Sequence, residues 1–198
     1  RENEMDKSVQ AAAVAFKLAQ RIMLMKESLK AFRKNEFQDA VIGIEFDALN
    51  SGGEREQTEF AAKISRMYRA WAEKRGMKLI EFKNSNCGFF FLAVVYGFAA
   101  FRILKDEEGI HVWEFTDDKD KKCRVKLKIR VCSFNPSEID IENNPQGVCN
   151  YLKRVSSDRL KITRRYRETP SPLVRDSVKN WRSGRIDKIL DGDFDLIS

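Results

Sequence analysis

Over residues 122–131 basic and apolar residues alternate without a break: Lys122, Arg124, Lys126, Lys128 and Arg130 interleave with Cys123, Val125, Leu127, Ile129 and Val131. Successive strand residues point to opposite faces, so this period of two predicts one β-strand with an apolar face on a core and a face carrying five cations. A chain with such a strand has to build a sheet packed on one side here and polar on the other. Like charges about 7 Å apart repel, and protein surfaces usually intersperse signs. A polyanion that sheds counterions on binding offsets that repulsion. Phosphate contact is one reading of the row; a plain solvated face is the other.

The charge distribution points to the same region. Residues 119–198 hold 19 Lys and Arg against 11 Asp and Glu, a net of +8, whereas residues 1–118 hold 18 against 19. A localised excess is the pattern of a polyanion footprint, with a solubility charge as the bland alternative. A second basic strand is predicted over residues 160–167, where Arg164, Arg165 and Arg167 surround Tyr166. Tyr166 is a candidate to stack on an unpaired base and equally a candidate core residue. Trp113, in a strand just before the basic run, is a further stacking candidate.

Upstream, residues 5–34 read as a helix. Val14, Leu18, Ile22, Met25, Leu29 and Phe32 fall at steps of 4, 4, 3, 4 and 3, one apolar stripe suited to a core or a coiled coil. A strand over 41–46 and a loop with Asn50, Ser51, Gly52 and Gly53 follow. A helix over 58–75 shows Phe60, Ile64, Met67, Tyr68 and Trp71 on one face and is ended by Gly76. Strands over 78–82 and 89–95 and a short helix over 97–104, closed at Gly109, complete this half. Residues 135–149, with Pro136, Pro145 and Gly147, read as a turn region; Pro170 and Pro172 break the second basic strand. A short helix is expected before Asp191.

Chemistry-bearing motifs are sparse. Cys87, Cys123, Cys132 and Cys149 form no C-x-x-C pair, and His111 is the only histidine, so no zinc-ligand spacing exists. Buried thiols in a reducing compartment are expected. Cys123 and Cys132 flank the basic strand too far apart, up to ~30 Å, to pair with each other; an intermolecular redox bridge requires one of them to be exposed. His111 reads as structural. Asp191, Asp193 and Asp195 resemble a calcium loop without its downstream glutamate and read as a helix-end turn. No nucleophile and base stand together, which leaves neither a catalytic residue nor a cofactor to assign. No apolar run reaches the ~20 residues that span a bilayer, so no membrane partner is expected. The chain begins at Arg1, which suggests an upstream part, a cleaved targeting segment among the options.

Further segments carry a family likeness. They are Ser51-Gly52-Gly53-Glu54, the run from Met67 through Tyr68, Arg69, Ala70, Trp71, Ala72, Glu73, Lys74 and Arg75 to Gly76, then Gly97, Ala100, Leu104-Lys105, Glu107 and Gly109-Ile110-His111. Leu173-Val174-Arg175-Asp176 and Leu190 through Asp195 complete the set. In this order the chain resembles the class I peptide chain release factors, over roughly residues 40–142 and 160–198. The resemblance implies an α+β fold: an N-terminal helical region (1–38) packed on or beside a mixed α/β sheet domain (39–198), the codon-recognition superdomain.

The departures bear on function. The family hydrolyses peptidyl-tRNA with a Gly-Gly-Gln tripeptide in a domain that would sit between residues 141 and 160, where this chain has only a short connector. The codon-reading tripeptide expected soon after His111 is replaced by Thr116, Asp117, Asp118 and Lys119. Gly52-Gly53 is followed by Glu54 and belongs to another motif. The chain is most similar to the land-plant plastid release-factor-like proteins that lost both motifs. That likeness implies a non-enzymatic protein of the chloroplast stroma that binds and stabilises messenger RNA 3′ ends, of cytochrome b6f-type transcripts. The RNA, expected single-stranded, would meet Lys122, Arg124, Lys126, Lys128, Arg130, Arg164, Arg165, Tyr166 and Arg167. A ribosome-associated factor without release activity is the alternative, and a homodimer through the N-terminal stripe a third option.

Overall fold

The alternating strand lies near the middle of a sheet. The computed structural model describes residues 2–47, 53–82, 87–116, 121–135, 144–156 and 160–197, with side chains from Gln10 onward. The elements run α1 (Glu2–Arg33), β1 (Ala40–Phe46), α2 (Glu54–Lys74), β2 (Lys78–Glu81), β3 (Phe91–Tyr96), α3 (Ala100–Leu104), β4 (Gly109–Thr116), β5 (Lys122–Ser133), α4 (Pro145–Val155), β6 (Ile162–Arg167), β7 (Leu173–Asp176), β8 (Trp181–Ser183) and α5 (Ile186–Lys188). Among the described residues the strands form one mixed sheet, ordered β2-β3-β1-β5-β4-β6-β7-β8. Every pairing is antiparallel except β4 with β6. The α+β class expected from the sequence is what the chain adopts.

The helix α2 covers one sheet face, as its apolar spacing predicts. Phe60, Ile64, Met67, Tyr68 and Trp71 are all buried, against Ile42, Ile44, Phe91, Val125, Leu127 and Ile129. Two acids, Glu54 and Glu56, occupy its first turn, where they complement the helix dipole. Gly76, at φ +65°, lets the chain leave through the left-handed region that glycine tolerates. The C-terminal tail then locks onto the far end of α2. Arg75 pairs with Asp193 and Asp195, Lys74 with Asp193, and the Trp71 indole N–H donates to Asp195 at 3.0 Å. Asp193 and Asp195 thus serve as ion-pair partners in a helix-end turn.

Three expectations need correction. The stretch 135–149 is not all turn: Asn144 caps α4 by accepting the Gly147 N–H, Pro145 supplies a ready-made first-turn φ, and Val148, Cys149 and Leu152 are buried. After Pro172, where the sequence predicts only a short helix, the chain adds two strands, β7 and, at the sheet edge, β8. The apolar stripe of α1 does not face the core. Gln20, Met23, Leu24, Glu27 and Ala31 face the body instead, anchored by Glu27 and Glu36 to Arg102, while Leu18, Ile22, Met25, Leu29 and Phe32 lie in solvent. Residues 48–52, 117–119 and 136–143, to which parts of the loop, codon-reading and turn readings belong, lie outside the described residues.

Candidate nucleic-acid interface

On the face away from α2, α4 covers only the β3-β1-β5 side, packing on Val41, Leu92, Val94 and Cys132. The remaining half, across β5, β4, β6, β7 and β8, carries side chains set by the register. One row runs Lys126, Val112, Arg165, Arg175, Arg182. The next runs Arg124, Glu114, Arg167, Leu173. Neighbouring strands lie about 4.8 Å apart and same-face residues about 6.8 Å apart, so the charged side chains share one patch around Val112, which is itself buried. Within these two rows the described side chains are six cations, Val112, Leu173 and Glu114, which pairs with Arg124 and Arg165, each at 3.3 Å. Arg167 donates to the carbonyl and hydroxyl oxygens of Ser171 at 3.2 and 3.1 Å. Among the described residues neither Arg175 nor Arg182 has a carboxylate within ion-pair distance. A cleft of about 400 Å³, rimmed by Lys122, Arg124, Arg167 and Pro170, lies at one end.

The structure divides the sequence-predicted residues. Lys122, Arg124, Lys126, Arg165 and Arg167 stand on the open face. Lys128 and Arg130 share the strand but are turned to acids in and just after β1: Lys128 lies 3.6 Å from Asp47, and Arg130 lies 3.0 Å from Glu45 and donates to Ser156 Oγ at 2.9 Å. The row is therefore not single-sign along its length, because a strand far away in sequence brings counter-charges to it.

Arg164 and Tyr166 are corrected outright. Strand parity sends both to the α2 side, where each is almost wholly buried. The Arg164 guanidinium contacts Glu107 at 2.5 and 2.8 Å and Asp176 at 2.7 and 3.0 Å. Tyr68 donates to Glu107 at 3.2 Å, and Tyr166 Oη lies 3.3 Å from His111 Nδ1. Burial opposes the charged form of Arg164, but the two carboxylates more than offset it and hold its pKa well above the ordinary value. Burial likewise raises the Glu107 carboxyl, against the pull of Arg164. Burial, then the nearby Arg164 charge, pushes His111 well below its usual pKa. Such a cluster holds β4, β6, β7 and α2 together and is closed to solvent. Trp113 also faces the core, with Lys63 Nζ 4.3 Å from its ring centroid. The open rows therefore present no aromatic side chain.

Arg175 and Arg182 are the interface residues that sequence reasoning missed. Their strands are only four and three residues long, and only the β6-β7-β8 register sets them beside Arg165. Among the described residues no three His, Cys, Asp or Glu side chains gather as metal ligands, and no helix is long and apolar enough to cross a membrane.

A model of the PCRF domain matches residues 1–125, more than half of the chain. The chain belongs to the PCRF-domain family. The PCRF match extends from α1 into β5 and stops before Lys126, so most of the basic patch lies beyond it. The fold as a whole is similar to RF2 of Thermus thermophilus, with a TM-score of 0.58 and 16% identity over 81% of this chain. At that identity the likeness concerns the fold alone. This PCRF-domain chain spans 66% of the RF2 chain. No curated protein matches it.

Proposed function

We propose that this PCRF-domain protein is a non-catalytic RNA-binding protein that holds RNA phosphates on the open half of its sheet. The observation that carries the reading is the cross-strand row Lys126, Arg165, Arg175, Arg182, to which Arg124 and Arg167 are adjacent. Phosphate neutralisation by such a row releases counterions and yields salt-dependent affinity. With no aromatic platform in the rows, backbone contact supplies the binding and sequence preference is modest. Support for a non-catalytic role comes from the β5–β6 connection. Where release factors carry their Gly-Gly-Gln domain, α4 packs on the sheet. A bound messenger 3′ end would then be shielded from an exonuclease sterically. Plastid transcripts, and the chloroplast stroma as the compartment, are the targets that the sequence resemblance suggests.

The experiment is RNA binding over a salt series, followed by a 3′-exonuclease protection assay. Salt-steep binding that protects the 3′ end supports the proposal; weak, salt-insensitive binding refutes it. Membership in the PCRF family favours a second reading, a ribosome-associated factor without release activity. In that case the protein co-sediments with ribosomes after messenger is trimmed by nuclease, and the same cations mediate contact with ribosomal RNA.

A further inference from the structure

The apolar stripe of α1 lies on the side of the helix opposite the body. Leu18, Ile22, Met25, Leu29 and Phe32 are between 56% and 78% exposed, and from Leu18 onward they follow the 4-3 spacing of a coiled-coil seam. The seam runs into a groove of about 910 Å³ between α1 and the turns after α2 and β3, where Met77 and Phe98 form the other wall. Phe98 is 77% exposed. So continuous an apolar surface marks an interaction site rather than scattered exposure.

The flanks define what fits. With Ile22 and Leu29 at a, and Leu18, Met25 and Phe32 at d, the flanking e and g positions from Ala19 to Arg33 hold Ala19, Arg21, Lys26, Ser28 and Arg33. Three are cations and none is a carboxylate. The nearest acids are engaged elsewhere: Glu27 and Glu36 pair with Arg102, and Asp39, on the groove lining, accepts the Gly97 N–H at 3.0 Å. A parallel second copy would set Arg21 against Lys26 of its mate, and an antiparallel one would set like positions against each other. Both arrangements oppose cation to cation, which selects against self-pairing.

We propose that α1 docks an amphipathic helix of a partner protein, one with apolar residues at heptad spacing flanked by carboxylates. The docked helix packs its seam on Ile22, Met25 and Leu29, seats one side against Phe98, and aligns Glu or Asp with Arg21, Lys26 and Arg33. This surface is separate from the basic sheet face, so its failure leaves the RNA reading untouched.

The test is selection of helical peptides on the immobilised full chain, with Leu fixed at a and d, and Glu, Gln and Lys varied at e and g. Enrichment of Glu is expected. The selected peptide should bind about tenfold more tightly than its Lys-substituted twin in low salt, with the difference shrinking as salt rises. The double variant Ile22→Asp/Leu29→Asp, at two solvent-facing sites, should lose the peptide while keeping its melting temperature and RNA affinity. Absence of any binder, enrichment indifferent to charge, or peptide retained by the double variant overturns the proposal. So does sedimentation of the peptide-free protein as a dimer that the double variant converts to monomer, which would put a second copy on the stripe.

Discussion

Arg164 and Arg165 are consecutive in β6 and serve opposite faces of the sheet: the first is enclosed by Glu107 and Asp176, the second stands at the solvent face 3.3 Å from Glu114. Breaking a buried ion cluster from one side strands the remaining charges, at a cost of about 3–5 kcal/mol, whereas a half-exposed pair contributes about 0–1 kcal/mol. Arg164→Met should therefore lose most of its stability in urea denaturation, and Arg165→Met little. RNA titration of the folded fractions should show the reverse order.

Neutralising the patch tests its extent. The triple variant Arg165→Gln/Arg175→Gln/Arg182→Gln should bind RNA about 100-fold more weakly near physiological salt, and the slope of log affinity against log salt should fall by about 2–3. Lys128→Gln and Arg130→Gln, at positions already neutralised by Asp47 and Glu45, should change affinity far less.

His111, the sole histidine, gives the acid limb of stability a recognisable origin. Its folded pKa lies well below the ordinary 6.5 because of burial and Arg164. Below pH 6.5 the unfolded chain takes up a proton that the folded chain refuses, so this contribution is intact above pH 6.5 and is lost as pH falls. The decline approaches about 1.4 kcal/mol per pH unit. Glu107 and Asp39, whose carboxyls burial raises, act in the opposite sense. Chemical denaturation between pH 7 and about pH 5 should show this decline, and His111→Gln should remove it.

Gly192 is at φ +94°, and a Cβ there would lie 2.4 Å from the Trp71 amide nitrogen and 2.8 Å from its Cα. Backbone cannot yield as a flexible side chain does. Gly192→Ala should loosen the tail from α2 and lower stability by about 1–3 kcal/mol or more, read as a drop in Tm.

All four thiols are buried and none is in a disulfide, and burial pushes Cys132 and Cys149 up to about 12. Thiolate is the reactive form. A thiol reagent at neutral pH should leave the native protein unmodified over minutes and label all four cysteines on unfolding. Oxidation should give no disulfide-linked dimer on a non-reducing gel.

What the sequence determined by itself was local. The period of two over 122–131 defined β5 and its two faces, and the 3-4 spacing of Phe60, Ile64, Met67, Tyr68 and Trp71 defined α2 and its buried side. Periodicity encodes which side chains share a face, because backbone geometry alone dictates that. Tertiary structure decided which face meets what. Strand parity gave no means of choosing between Arg164 and Arg165, or of recognising that the α1 stripe faces water, since each depends on a partner element distant in sequence. Glu45 and Asp47 reach β5 across the β1 pairing, Glu107 reaches Arg164 across the fold, and Arg175 and Arg182 join Arg165 only through the β6-β7-β8 register. Charge pairing is a property of distance in space, and sequence spacing fixes that distance only within a single element.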